Sequence, residues 1–401
     1  MERLIGCFSV NNMKYKKSRC DFAINGGKEV FSPDCVKTTM NLPAPSFNNY
    51  IKKLLFCERE SINSIDLLER SLAKFHDTKY AICFSSCFTA MAITMRALAI
   101  SGKKEVILPS LTYRRMTDIV LWSGLTPKYC DNNFNNLGVT SLEISKVINK
   151  DTALILAPHP MVHLSDIDSI EELSINTGIP IMFDSVEASG GSYKGRMLGS
   201  FGKAESFSLH PSKLMNACEG GYITTNDKNL YLALIKMRAG KSIEYNNSTR
   251  QGHLSKMNNY HAIMALCSLD MVQNIIEGNK IKYGLYFKLL EDFQGISLVC
   301  YDRKEKRNYK TILIKVDEKL HLNRDILHDI LNKENIFARK FYYPAQHVTH
   351  GKFLTKNYKE YEVACSLQEQ YLLLPTGYST SCKDIEIICS TIRQAIKLYS
   401  A

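Results

Sequence analysis

Two segments near the middle of the chain place a carboxylate and a lysine amine where they could act together. Asp184 ends the apolar run 179–184, and Lys213 follows a second predicted strand at 206–209. Side chains beyond the carboxyl ends of parallel strands share one crevice. There a lysine amine can bind an aldehyde covalently, and a carboxylate can keep a pyridine nitrogen protonated. The pair suits pyridoxal 5'-phosphate (PLP), although spacing alone favours a surface lysine and a strand-end aspartate.

A third segment has the chemistry to bind a phosphate. Residues 85–90, Ser-Ser-Cys-Phe-Thr-Ala, join a predicted strand at 79–85 to a predicted helix at 89–100. Free backbone N–H groups at a helix start attract anions, but taken alone the segment is more typical of an ordinary helix N-cap. Other phosphate motifs are excluded, because no G-x-G-x-x-G follows a predicted strand and Gly240-Lys241-Ser242 lacks the upstream glycine of a P-loop.

The elements that must position these residues alternate between strand and helix. The first half of the chain predicts strands at 79–85, 105–109, 127–131, 152–157 and 179–184, and helices at 89–100, 116–123, 140–149 and 166–177. Such alternation indicates a mostly parallel sheet with helices on both faces. The second half predicts strands at 206–209, 221–225, 308–316 and 341–343, and helices near 228–238 and 257–277.

The pattern divides the chain into three parts. Residues 1–41 are weakly patterned and are predicted to form an N-terminal extension. Residues 42–285 form a large α/β domain that would hold the cofactor, and residues 286–401 form a smaller C-terminal α+β domain. In the small domain Ser381 and Asp384 resemble a capping box, which predicts the start of a final amphipathic helix.

Composition narrows the class of protein. The chain has 401 residues, of which 45% are hydrophobic and 23% charged, as in ordinary globular proteins. Its apolar runs are shorter than the roughly 18 residues of a membrane helix, and its first residues do not resemble a secretory signal. The 13 cysteines are odd in number and form no C-x-x-C pair, so they do not predict a disulfide framework. We therefore expect a cytoplasmic protein that does not act at a membrane.

Charge and histidine spacing bear on the partners. The formal net charge of +11 is spread along the chain and is not clustered with aromatic residues. This distribution makes nucleic acid an improbable partner and is compatible with a small anionic substrate. His159 and His163 are four residues apart but are predicted to lie in a loop, so we expect no metal site.

Around its lysine and aspartate the sequence resembles the PLP-dependent sugar aminotransferases of the DegT/DnrJ/StrS type. The pattern F-S-x-H-x-x-K at 207–213, followed by E-G-G at 219–221, carries the resemblance together with the Asp-x-x-Glu segment 184–187. The similarity extends over roughly residues 42–398. It implies the aspartate aminotransferase fold, known as fold type I, with a large domain and a smaller C-terminal domain. Further matching segments lie at 108–113, 256–262 and 339–347.

The resemblance implies a role for each matched residue. Lys213 would form the Schiff base with PLP and move protons, and Asp184 would pair with the pyridinium nitrogen. The other implied contacts are with the ring oxygen (Glu187), the ring face (Tyr113), the phosphate (Ser208 and the backbone around Phe88 and Thr89) and the sugar substrate (His347).

The activity that the resemblance implies is transfer of an amino group to a sugar. L-Glutamate would be the donor and a nucleotide-linked keto-deoxysugar the acceptor, in the synthesis of an amino sugar for a surface polysaccharide or a glycosylated metabolite. Members of this family that have a histidine at the position of Lys213 act as dehydratases, so the lysine favours an aminotransferase. A PLP-dependent sugar dehydratase is one alternative, and a non-catalytic member with a regulatory role is another.

The resemblance also implies a homodimer with each active site at the subunit interface, to which the helix 257–276 would contribute. Two departures from the family pattern concern the phosphate site. Cys87-Phe88 stand where many members have Gly-Thr, and Leu254 stands where an asparagine usually reaches the phosphate of the neighbouring subunit.

Overall fold

A computed structural model describes residues 16–39, 45–245, 247–317, 320, 322–350 and 358–399. The boundary between residues 41 and 42 lies outside the described residues. The strands are β1 (Lys37–Thr38), β2 (Tyr80–Phe84), β3 (Glu105–Pro109), β4 (Thr126–Cys130), β5 (Thr152–Pro158), β6 (Ile181–Asp184), β7 (Ser192–Tyr193), β8 (Arg196–Met197), β9 (Ala204–Ser208), β10 (Gly221–Thr225), β11 (Ile243–Tyr245), β12 (Ser248–Arg250), β13 (Ile296–Leu298), β14 (Ile312–Val316), β15 (Ile336–Phe337), β16 (Arg339–Lys340) and β17 (Tyr371–Leu374).

The helices follow the same chain order. They are α1 (Phe47–Arg59), α2 (Ser64–Phe75), α3 (Cys87–Leu98), α4 (Met116–Trp122), α5 (Ser141–Ser145), α6 (Ile167–Thr177), α7 (Lys228–Arg238), α8 (Asn259–Leu290), α9 (Arg324–Lys333), α10 (Gln346–Thr349), α11 (Glu362–Gln370) and α12 (Cys382–Tyr399). Among the described residues no helix combines the length and the apolarity that spanning a bilayer requires.

A seven-stranded sheet forms the centre of the large domain, in the order β2-β10-β9-β6-β5-β3-β4. All neighbours in it are parallel except β10, which runs antiparallel to both β2 and β9. Every residue of β5 is buried, as expected for a strand covered by helices on both faces. The predicted mostly parallel sheet is confirmed.

The pleat of β6 decides which face its final residue occupies. Successive side chains of a strand point to opposite faces. Met182 accordingly packs in one apolar cluster, which includes Ala90 and Met91 of α3, whereas Phe183 packs in a different cluster with Ile181 of the same strand. Asp184 follows Met182 by two residues, so it lies on the face of the sheet that α3 covers.

The C-terminal domain is built on a four-stranded antiparallel sheet, β13-β14-β17-β16. The long helix α8 runs from the large domain to residue 290, because its buried pattern continues through Tyr283, Tyr286 and Leu290 beyond the predicted end at 277. The capping box before α12 is confirmed: Asp384 Oδ2 accepts from Ser381 N at 2.8 Å, and Ser381 Oγ accepts from Asp384 N at 3.2 Å.

The predicted strand at 341–343 is wrong. The structure has the short strand β16 just before it, and residues 341–343 form a bend that leads to Pro344. Tyr342 has φ 46°, in the left-handed region, which no extended strand can contain. Pro344 also lacks the backbone N–H that a strand would need to continue the ladder.

The N-terminal extension packs on the C-terminal domain. Strand β1 pairs in parallel with β15, and the fully buried ring of Phe22 meets Tyr399 edge to face at 5.7 Å. Glu334 is fully buried and accepts hydrogen bonds from Ala23 N at 2.7 Å and Val30 N at 2.8 Å. Residues 16–39 are therefore part of the folded body and not a loose tail.

Candidate active site

The lysine, the aspartate and a neighbouring glutamate converge at the carboxyl ends of β6 and β9. Asp184 is the last residue of β6 and pairs in register with Ser206 of β9. The chain then turns after β9, where Lys213 N donates to His210 O at 2.9 Å. Lys213 Nζ donates a hydrogen bond to Glu187 Oε1. The three predicted residues therefore lie in one cluster, as their positions after two adjacent strands require.

Asp184 is a buried carboxyl with an incomplete set of partners. Its Oδ1 accepts from Val186 N at 3.2 Å and faces Ser206 Oγ at 3.5 Å. Within the described part of the chain no donor bonds to its Oδ2. Burial raises the pKa of Asp184 to about 6, against the smaller opposing effects of the Val186 amide and the Lys213 ammonium. A cationic group beside Oδ2 would stabilise the ionised form.

Glu187 links two lysines. Its Oε1 accepts from Lys213 Nζ, and its Oε2 accepts from Lys310 Nζ at 3.0 Å. Burial acts to raise the pKa of Glu187, but the two ammonium groups outweigh burial and hold that pKa well below its usual range. Desolvation acts to lower the pKa of Lys213, and the Glu187 carboxylate reverses this, so the pKa of Lys213 is raised. The amine is therefore held as an ammonium ion by the Glu187 carboxylate.

Lys310 lies just before β14 on the C-terminal domain and is not among the residues that the sequence predicts for the site. Desolvation lowers the pKa of Lys310 despite its bond to Glu187. The neighbouring Asn308 fixes the same corner, because its Nδ2 donates to Glu187 O at 2.8 Å and to Ser189 O at 3.0 Å. No local motif in the sequence indicates a role for Lys310. The only indication is that this lysine precedes an apolar strand.

Glu205 is a second buried acid that sequence reasoning missed. It is fully buried within β9, where its Oε1 accepts from Gly199 N at 2.6 Å and Phe201 N at 2.7 Å, and Ser185 Oγ donates to its Oε2. Burial raises the pKa of Glu205 to about 7. These bonds fix Ser185, the residue after Asp184. A glutamate inside a strand that is otherwise buried was the signal for this role.

The N-terminus of α3 approaches the cluster from the side. Ser86 caps the helix, because its hydroxyl accepts from Thr89 N at 3.1 Å. The N–H groups of Cys87 and Phe88 have no intrahelical acceptor, since they lie in the first turn of the helix. Cys87 is close enough to Asp184 and Lys213 for both charges to act on it. A Cβ at Gly221 would come within 2.4 Å of the Cys87 backbone, so only glycine lets β10 pass this helix start.

Two other predicted residues, Ser208 and Tyr113, follow or end strands of the same sheet. Ser208 ends β9 opposite Gly221, and its Oγ accepts from His210 N at 3.3 Å. Tyr113 follows β3 and is 43% exposed, and its carbonyl accepts from Gln346 Nε2 at 3.3 Å. The predicted contacts of Ser208 with the phosphate and of Tyr113 with the ring face stay predictions.

The side chain of His347 is buried and held by several contacts. It is fully buried, its Nδ1 bonds to Ser110 Oγ, and its ring stacks on Tyr361 at 4.8 Å. Its Nε2 lies 3.5 Å from Cys365 Sγ. These contacts join α10 to the residue after β3 and do not bring His347 to the Lys213 cluster. Its predicted contact with a sugar stays a prediction.

The donor set fits PLP. Lys213 offers an amine for the aldehyde, Asp184 offers an unbonded carboxylate oxygen for the pyridine nitrogen, and the capped start of α3 offers N–H groups for the phosphate. Among the described residues no group of three or more His, Cys, Asp or Glu side chains is arranged to hold a metal ion.

Comparison with known proteins agrees with this geometry. The model of the DegT/DnrJ/EryC1/StrS aminotransferase family matches residues 59–393. GDP-perosamine synthase of Escherichia coli O157:H7 is 26% identical over 336 residues, which is 83% of this chain and 90% of that protein. The dTDP-4-amino-4,6-dideoxy-D-glucose transaminase of Escherichia coli is 25% identical over 312 residues, covering 77% and 83% of the two chains.

The fold is also found in a solved structure. The crystal structure of DesI, determined in the presence of its TDP-sugar product, superposes with a TM-score of 0.87 at 22% identity, covering 94% of this chain and 96% of that one. The resemblance inferred from the motifs and its fold type I architecture are confirmed. The chain belongs to the DegT/DnrJ/EryC1/StrS aminotransferase family.

Proposed function

We propose that this aminotransferase uses PLP, in the cytoplasm, to move an amino group from L-glutamate to a nucleotide-linked keto-deoxysugar. The observation that carries the proposal is the Lys213 ammonium bonded to Glu187 in the same buried cluster as Asp184. A lysine at this position favours amino transfer over dehydration. The relatives named above act on GDP- and dTDP-linked sugars by their names, so the nucleotide is a matter for experiment.

Each residue of the cluster has a distinct task in this proposal. When bound, PLP supplies an aldehyde for the amine and a cationic ring that accepts the electron pair of a broken C–H bond. Asp184 keeps the ring nitrogen protonated. Lys213 Nζ, once released, takes the proton from one carbon and returns it to another. Glu187 orients Lys213 and, with Lys310, sets the charge around it.

The test of this function offers the protein a set of candidate keto-sugar acceptors. Purified protein loaded with PLP should convert L-glutamate to 2-oxoglutarate in the presence of one or more GDP- or dTDP-linked 4-keto- or 3-keto-6-deoxyhexoses. Mass spectrometry of the sugar product should show an amine in place of the ketone. Loss of water from the sugar without amine transfer would instead support the dehydratase, and failure to take up PLP would support a non-catalytic member.

We also propose a homodimer, because apolar side chains lie exposed beside the candidate phosphate site. Trp122 is 62% exposed, and its ring meets those of Phe88 and His253 edge to face at 5.8 and 6.5 Å. Leu254, the next residue after His253, is 71% exposed. A second copy of the chain would cover this patch and bring its own residues to the phosphate.

The mass of the protein in solution tests the dimer directly. One chain has a mass of 45.6 kDa, so light scattering should give twice that value. Leu254→Asp places a charge in the patch and should shift the protein towards the monomer, whereas Ile175→Asp, at an exposed position on α6, should not. A wild-type mass of one chain would contradict the proposal.

A further inference from the structure

A small polar cavity adjoins the Lys213 cluster on the side of the C-terminal domain. It has a volume of about 70 Å³, which is room for a carboxylate-sized group and far less than a pocket for a whole substrate. Three cationic side chains, of Lys213, Lys310 and Arg339, line it, against the single carboxylate of Glu187. The excess of positive charge makes it a site for a small anion.

Two buried hydroxyl groups in this cavity lack a hydrogen-bond partner within the part of the chain that the structure describes. Thr39 and Thr376 both line it, and the Oγ1 atoms of both are buried and make no hydrogen bond with any other described residue. Thr376 as a whole is 2% exposed. Buried hydroxyls are normally hydrogen-bonded, and one left without a partner costs free energy. Both can donate to an anion held by the nearby ammonium groups.

Thr39 reaches the cavity because the N-terminal extension is anchored to the C-terminal domain. In β1, Lys37 pairs with Ile336 and Thr38 with Phe337 of β15. Lys37 Nζ also forms an ion pair with Asp384 Oδ2 at 3.1 Å. Thr39 directly follows this strand. The residue lies outside the segment 59–393 that matches the family model, so the family match does not bear on this contact.

The position of the cavity beside Lys213 indicates which anion it binds. In an amino acid the carboxylate is attached to the carbon that bears the amine, so it must lie next to Lys213 during transfer. In a nucleotide sugar the diphosphate is separated from the keto carbon by the sugar ring, so it lies away from Lys213 during transfer. On the basis of the proposed function, we propose that Thr39 binds a carboxylate of the amino donor, together with Thr376 and Lys310, and that the N-terminal extension thereby forms part of the donor subsite.

The test removes a single hydroxyl. Thr39→Val keeps the shape of the side chain, and the wild-type hydroxyl has no hydrogen-bond partner to lose among the described residues. 2-Oxoglutarate carries no amine and cannot react with the aldehyde form of the loaded enzyme, so calorimetry measures its binding alone. We expect the affinity for 2-oxoglutarate to fall about tenfold, as for the loss of a hydrogen bond to a charged group. The KM for glutamate should rise by a similar factor, with the KM for the keto sugar unchanged.

Two further variants make the result specific. Thr39→Ser retains the hydroxyl and should bind 2-oxoglutarate nearly as the wild type does. Thr126→Val changes an exposed threonine at the start of β4 and should alter nothing. The inference is overturned if Thr39→Val binds 2-oxoglutarate normally, or if only its KM for the sugar rises. An inactive, colourless wild-type protein would refute the proposed function instead, so the two failures are distinguishable.

Discussion

Replacing Lys213 with arginine is expected to abolish covalent attachment of PLP and to lower the rate of amino transfer by at least about 10³-fold. Arginine remains protonated at any accessible pH, so it has no free amine for the aldehyde and cannot act as a base. Arginine can still pair with Glu187, as the Lys213 ammonium does in the wild type. The fold should therefore persist, and the loss would be chemical.

The attachment can be measured without relying on activity. Reduction of the loaded protein with borohydride fixes the cofactor to its lysine, and peptide mass spectrometry then identifies the residue. Wild type should carry the mass on Lys213, as should Lys203→Arg, which changes an exposed lysine just before β9. Attachment that persists in Lys213→Arg and maps to Lys310, the other lysine bonded to Glu187, would contradict the assignment.

The sequence predicts the mostly parallel central sheet because the signals for its strands are local. Apolar runs ended at or near the observed strand ends, as in β3 and β10, whose predicted and observed limits coincide. Because parallel strands align their carboxyl ends, two residues that follow neighbouring strands had to come together. The convergence of Asp184 and Lys213 thus follows from topology once the alternating pattern is recognised.

What the sequence did not reveal depends on long-range pairing. Lys310 bonds to Glu187, which lies 123 positions away in the sequence. Thr39, near the N-terminus, lines the same cavity as these two residues. Phe22 sits in a polar stretch with no periodic pattern, and its burial becomes evident only when Tyr399 is folded against it. Glu334 satisfies backbone N–H groups more than 300 positions away. No window of local sequence contains both members of such pairs.

Tyr342 shows a different limit of prediction from the sequence, which is that local propensity can be overridden. An aromatic run between two apolar segments favours a strand by propensity, yet the backbone at Tyr342 is left-handed and the chain turns. The turn brings Tyr342 close enough to Asp184 and Glu187 for both carboxylates to act on its hydroxyl, although burial is the main reason that its pKa is raised. Local preference was overridden at a position beside the candidate site, as is common where function constrains the backbone.

Asp184→Asn is the second change with a large expected effect. Asparagine has nearly the shape of aspartate but no charge, so it cannot keep the pyridine nitrogen cationic. Amino transfer should slow by on the order of 10²–10³-fold, the loss typical of removing one preorganised electrostatic group. Stopped-flow absorbance of the loaded enzyme with glutamate measures this half-reaction. Asp151→Asn, at an exposed position before β5, serves as the matched control and should react normally.

The pH dependence of PLP binding separates the charge of Asp184 from its shape. In the cofactor-free protein burial raises the pKa of Asp184 from its ordinary 3.8 to about 6. The folded chain therefore holds this proton more tightly than the unfolded chain does, and the stability gained at low pH is lost as pH rises through about 6. PLP needs the ionised carboxylate. Its affinity should thus be constant above pH 6 and fall by up to about tenfold per unit below it. Asp184→Asn should bind PLP weakly at every pH and lack this fall; the same fall in the variant would show that another group controls binding.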